Sequence, residues 1–314
     1  GEGFVAAEWN NDPIEDDQEA STVVDWRSVC KRLNGLKQAH VDPGYFVVLG
    51  VDIGKWRVHW TARAFRPDGK FPRTIDYGFV DTVGARKGSD EGEAEAIIGA
   101  LDEIRDSIEF WSADKETRVT PKLAMVDSGY RDDVIVGWCL KNPGWQPIKG
   151  EGRRVRKGRK YRAVEHATAD RKPVCYGIHQ SRHSFNGKRY WLTVCNADWG
   201  KDVEHDRWTV PLITGNDGAK APNPRAMTLF GTGNPMSVRL EGDELEHKDY
   251  AQHVCAEKKV DGVWTPDGEE NHWGDSSIYA TMAAAVLGVP MQGDYSGGPI
   301  RSPQNPRRSS VSYL

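Results

Sequence analysis

Residues 45–52 read YFVVLGVD, eight positions in which apolar and β-branched side chains follow one another without the alternation of a half-wetted strand. Such a run predicts a strand buried on both faces, within a sheet that helices cover on both sides. Every other segment has to be arranged around it. After Ile53-Gly54-Lys55, residues 56–65 alternate through Val58, Trp60, Ala62 and Ala64, which predicts a second strand. Residues 74–83 offer a third, and short polar turns make the three an antiparallel meander. Helical spacing then runs from Ala94 to Ile108, with Asp90 available as a cap. The PKLAMVD segment, 121–127, predicts a fourth strand, and 132–140 a helix. Hairpin character follows at 174–179 and 188–195, and helices are expected at 247–259 and 275–287. The order is that of an α/β fold, a mixed β-sheet flanked by helices with an inserted hairpin and loop region.

The expected domain spans 41–292. Before it, residues 1–40 read as a disordered acidic lead-in followed by a linker helix over 22–36; the first twenty residues hold seven acids and no base. After it, residues 293–314, rich in Ser, Pro, Gly and Arg, read as a flexible tail. The formal charge is −4, and setting aside those seven acids leaves +3, so a mildly basic body is expected. Apolar residues make up 38% and no run approaches the roughly 20 residues of a spanning helix, which argues against a membrane partner. The same acidic opening lacks a secretory h-region. The 5 cysteines are scattered without a CxxC pair, and read as reduced thiols rather than zinc ligands.

Three acids stand out by position. Asp52 ends the first buried strand, Asp127 ends the fourth, and Asp275 opens the last helix within NHWGDSS. Each has a plain use: a turn with Gly54, an Asx turn before Ser128-Gly129, a helix cap. Yet carboxylates at the ends of neighbouring apolar strands repel one another and are costly to desolvate. A divalent cation resolves that conflict, and oxygen ligands point to magnesium or manganese. Two such ions about 4 Å apart can activate a water and stabilise the leaving oxygen of a phosphodiester. His272, three residues before Asp275, is a candidate further ligand or an orienting group. Glu270 and Asp133 read as solvated acids.

The densest charge lies in GEGRRVRKGRKYR, residues 150–162, with Arg153, Arg154, Arg156, Lys157, Arg159, Lys160 and Arg162. A glycine-rich loop of this charge would attract a phosphate backbone with strong salt dependence, and Tyr161 is available for stacking. Phosphate contacts of this kind imply little sequence preference.

Three segments now make a pattern: VLGVDIGKWRVHWTARAF, LAMVDSGYRDDVIVGWCLKNPGWQPIKG and AEKKVDGVWTPDGEENHWGDSSIYATMAAAVL. In this order they resemble the C-terminal nuclease domain of the large terminase subunits of tailed phages, in the lambda-type branch. The resemblance runs from about residue 46 to 287 and is poor over 199–246. It implies a ribonuclease-H-like fold and a two-metal-ion endodeoxyribonuclease that cleaves double-stranded DNA during genome packaging. Asp52 would bridge two Mg2+ or Mn2+ ions, Asp127 and Asp275 would each complete one, and Lys149 would lie near the scissile phosphate. Implied partners are the terminase ATPase domain, the small terminase subunit and the portal, in the host cytoplasm. No GxxxxGK[ST] loop is present: GNDGAK at 215–220 lacks the spacing and the hydroxyl, so the chain reads as the nuclease part without its motor. Lys201 in NADWGKD matches weakly and receives no role. Three rivals stay open. GVDIG also suits an actin-like or sugar-kinase-like phosphate-binding enzyme; the acids would be structural in a non-catalytic DNA-binding docking module; a transposase or junction resolvase would share fold and chemistry.

Overall fold

The computed structural model of the chain describes residues 24–82, 90–114, 117–152, 160–214, 221–231, 246–267 and 270–291. A short helix, α1 (Trp26–Cys30), and a two-residue strand, β1 (His40–Val41), precede the central element, β2 (Phe46–Ile53). All eight residues of β2 are buried. The chain returns as β3 (Arg57–Phe65) and again as β4 (Arg73–Asp81), each antiparallel to the strand before it. Helix α2 (Asp90–Ser107) and the small strands β5 (Phe110–Ser112) and β6 (Arg118–Val119) follow. Next come β7 (Leu123–Asp127), parallel to β2, then α3 (Asp132–Cys139) and β8 (Trp145–Glu151), parallel to β7.

Beyond β8 the sheet is extended by β9 (Arg171–Cys175), β10 (Ile178–Phe185) and β11 (Lys188–Asn196). Helix α4 (Ala197–Thr209) leads to the pair β12 (Ile213–Thr214) and β13 (Ala221–Pro222), and to β14 (Thr228–Leu229). The described part closes with α5 (Lys248–Val254), the hairpin β15 (Glu257–Val260) and β16 (Val263–Pro266), and α6 (His272–Val286). Nine strands form one mixed sheet in the order β14-β4-β3-β2-β7-β8-β11-β10-β9.

The period of two along β2 sorts its side chains into two cores. Val47, Leu49 and Val51 pack with Ile97, Leu101 and Ile104 of α2 and with Ile135 and Trp138 of α3. Phe46 and Val48 pack on the other face, with Trp199 and Val203 of α4 and Ile278, Met282 and Ala283 of α6. Gly50 belongs to this second face. A Cβ there would lie 1.9 Å from the Ser276 carbonyl oxygen and 2.3 Å from the Ala280 nitrogen, so the backbone of α6 rests directly on β2.

The expected mixed sheet flanked by helices is present, and several elements differ from expectation. The helix read over 22–36 is confined to Trp26–Cys30, because beyond it the backbone is spent on the sheet: Leu33 bridges Leu229 and the Asn34 amide donates to the Leu229 carbonyl at 2.8 Å. The helix expected over 247–259 stops at Val254, and the remainder is a hairpin. Its turn residues Asp261 and Gly262 have φ of 50° and 71°, the left-handed pair that a two-residue turn demands. The hairpin expected at 174–195 is a three-stranded unit. Helix α4 was not expected at all. All five thiols are free; Cys30, Cys139 and Cys195 are buried, whereas Cys175 and Cys255 are half-buried. No described helix is long and apolar enough to cross a membrane. Most of the lead-in, the tail beyond 291 and residues 215–220 lie outside the described residues.

Gly50→Ala should therefore destabilise the fold by about 3 kcal/mol, the upper end of overpacking costs, because both clashing atoms are backbone. Urea unfolding checks this, and a midpoint equal to that of the parent chain would refute the seating of α6 on β2.

Candidate metal centre

Pairing of β2 with β7 aligns Val51 with Val126, so Asp52 and Asp127 emerge side by side on the face that α6 covers. β7 ends on Asp127, and Asp52 is the last but one residue of β2, still paired with His59 of β3 but beyond the ladder that joins β2 to β7. The close seating of α6 over Gly50 brings its first turn, with Asp275, over the same strand ends. Asp52 is buried, at 7% exposure, while Asp127 and Asp275 keep part of their surface.

The three acids lie within electrostatic reach of one another. Packing around the Asp127 carboxyl, and then the negative charge of Asp52, push it up to about 7; bonds from the Gly129 amide and the Tyr279 hydroxyl and the charge of Lys149 act in the opposite direction. Asp275 is pushed up to about 8 by packing and by Asp52, with Lys201 opposing and Glu257 and Asp127 adding. The Gly129 amide donates to Asp127 Oδ1 at 3.0 Å, so the Asx turn is formed as well. Asn271 Nδ2 donates to Asp275 Oδ2 at 3.1 Å. Desolvation first, and repulsion from neighbouring carboxylates second, raise both proton affinities, and the charges of Lys149 and Lys201 offset only part of the rise. A set of oxygen donors in that condition suits a hard divalent cation such as Mg2+ or Mn2+.

A layer of imidazoles lies behind Asp52: His272, expected from the sequence as a ligand or an orienting group, and His59, which the sequence did not single out. His272 Nδ1 lies 2.7 Å from Asp52 Oδ2, and this bond lifts the imidazole above its ordinary range. His59 is the register partner of Asp52 on β3, and its ring stacks on that of His272 at 4.7 Å and 10°. Burial, reinforced by His272 and His253, lowers His59 to about 3, so it stays neutral. Donor atoms of Asp52, His59 and His272 all lie within 4.8 Å of one another. Imidazole lone pairs lie in the ring plane, however, and stacked parallel rings send theirs along parallel lines rather than to one point. His272 therefore orients Asp52, with His59 stacked behind it, and the charge of Asp52 is felt by both Asp127 and Asp275. Counting outward from the turn after Asp52 would have found His59; its own surroundings in sequence carry no such signal.

Lys149 is exposed at the end of β8, with its charge felt by Asp127. Lys201, which sequence reading left without a role, pairs with Glu257 at 2.6 Å and acts on Asp275. Asp133 is exposed and held by Arg131 at 3.2 Å, and Glu270 is exposed. Of the basic segment, Lys160 and Arg162 are exposed on the approach to β9. Arg153, Arg154, Arg156, Lys157 and Arg159 lie outside the described residues.

No protein-family model matches the chain, and no curated protein does. Among solved structures, a Ppx/GppA phosphatase of Aquifex aeolicus aligns at 13% identity over 50% of this chain and 55% of its own, with a TM-score of 0.24. A second Ppx/GppA family structure from that organism aligns at 13% identity over 50% and 53%, with a TM-score of 0.23. The chain thus spans about half the length of the chains it aligns with, and a likeness of this extent supports no argument about fold or activity.

A carboxyl with a folded value near 8 and an unfolded value near 3.8 keeps its proton in the folded chain after the unfolded chain has lost it. Stability must then fall as pH rises from about 4 to about 8. In chelator-treated protein, Asp275→Asn should remove part of that loss. We expect it to be more stable than the parent by on the order of 1–2 kcal/mol at pH 8, with no difference near pH 4. Melting curves across that range test this, and a variant less stable at pH 8 would refute the reading.

Proposed function

We propose that this chain is a metal-dependent endonuclease that hydrolyses phosphodiesters of double-stranded DNA, with the ribonuclease-H-like fold and packaging role implied by the terminase resemblance. The observation that supports it most is the gathering of Asp52, Asp127 and Asp275, far apart in sequence, into one cluster whose burial and mutual repulsion raise the proton affinity of Asp127 and Asp275. The run β4-β3-β2-β7-β8, a meander followed by two parallel strands, agrees with that fold. Actin-like phosphate-binding enzymes share this strand order, so the reading rests on the acids and not on the sheet.

Asp52 is the acid whose charge acts on both others, which suits it to face two ions, with Asp127 and Asp275 each completing one site. Bound Mg2+ or Mn2+ would supply charge compensation and Lewis-acid activation of water and of the leaving oxygen. His272 holds one oxygen of Asp52, the Gly129 amide one of Asp127, and Asn271 one of Asp275, so each carboxylate is turned by a partner outside the pocket. Lys149, exposed beside the acids, offers positive charge to a phosphate, while the charge of Lys201 is taken up by Glu257. No Ser or Cys nucleophile is needed in such a reaction. The ATPase domain, small subunit and portal are the partners this reading entails, and the host cytoplasm its location.

Incubation with supercoiled plasmid in Mn2+ provides the test. The parent chain should nick the plasmid, and Asp52→Asn and Asp127→Asn should each reduce nicking at least about a hundredfold while the chain stays folded by circular dichroism. Undiminished nicking by either variant would overturn the assignment.

A further inference from the structure

Strand register carries one face of the sheet from the carboxylates to a cluster of cations. Asp127 pairs with Ile148, Ile148 with Thr193, Thr193 with Gln180, and Gln180 with Lys172. Partners across a ladder share a face, and every second residue returns to it. Lys172, Arg182, Arg189 and Trp191 therefore stand on the face that bears Asp52 and Asp127. The three cations are exposed and Trp191 is half-buried. The Lys172 ammonium lies 4.6 Å from the Trp191 ring centroid and the Arg182 guanidinium 5.9 Å from it.

No ion pair is formed by Lys172, Arg182 or Arg189 among the described residues. Elsewhere, some exposed arginines meet acids: Arg57 with Asp81 at 2.9 Å, Arg66 with Asp68 at 3.4 Å, Arg118 with Glu109 at 3.4 Å. Three uncompensated cations side by side on a rigid sheet repel one another, and that repulsion is relieved when an anionic surface is met. Strand spacing near 5 Å and a rise near 3.3 Å per residue put Trp191 on the order of 12 Å from Asp127, within one turn of B-DNA. The indole already has cations against it, which disfavours stacking of an unpaired base and favours contact with a duplex backbone.

We infer that this face of β9–β11 is a platform for the phosphate backbone of double-stranded DNA, holding the duplex beside the acid pocket; the identity of the occupant rests on the nuclease reading. The test is anisotropy of a labelled 25-base-pair duplex (a length of about two and a half turns) titrated with the chain in EDTA, where no cleavage occurs, over a series of NaCl concentrations. Lys172→Gln, Arg182→Gln and Arg189→Gln combined should weaken binding at least tenfold and make the slope of log affinity against log salt shallower by about 3. Lys31→Gln, Lys37→Gln and Lys70→Gln combined change net charge equally at exposed positions elsewhere and should weaken binding less than threefold. Equal losses in the two triple variants, or an unchanged slope in the first, would overturn the platform, as would tighter binding of a single strand that survives the first triple. Melting curves establish that both variants are folded. Absence of plasmid nicking by the parent would count against the nuclease reading alone, whereas nicking with duplex affinity indifferent to the first triple would count against the platform alone.

Discussion

Three carboxylates are held closer than their charges favour, and the contact that holds them is that between Gly50 and the backbone of α6. Repulsion among Asp52, Asp127 and Asp275 would be relieved if α6 slid or tilted away from the strand ends. It cannot do so cheaply. Ile278, Met282 and Ala283 are embedded in the core that α6 shares with β2, and the helix lies too close to the strand to leave a gap without exposing that core. Apolar burial along four turns of helix thus supplies the force that keeps acids together at one end of it. A fold that concentrates charge in this way gives up some stability at a place where chemistry can use it.

Behind the helix lies a second polar feature of the same interface. Arg63 of β3 is fully buried and meets Glu204 of α4 at 2.5 Å, with the Thr281 hydroxyl of α6 bonded to both. Among the described residues, Arg63 Nε and Nη2 and Glu204 Oε2 have no hydrogen-bond partner. A buried ion pair is weak support for stability, but breaking one is costly, so it fixes the register in which β3, α4 and α6 come together.

What could be read from the chain follows from how local each pattern is. The β2 run, the helix over 90–107 and the acids at strand ends are local and were legible. Helix α4 was not, because Glu204 and Arg207 share its buried side with Trp199, Val203 and Trp208, which hides the apolar period. The β15–β16 hairpin had its Asp-Gly turn in plain view, outweighed by helical spacing just before it. His59 and the cations of β9–β11 become meaningful only through pairing between distant strands, which no single segment states.

The placement of α6 also bears on how the protein is made. It covers a face of β2 that is synthesised more than two hundred residues earlier, and Asp52 and His272 are separated by 220 positions. Until α6 has left the ribosome, Phe46, Val48 and Met125 have only the cover that α4 provides, and a nascent chain must keep this greasy surface from neighbouring polypeptides. Completion of the core and assembly of the acid cluster are thus a single late event, and a half-made chain has neither.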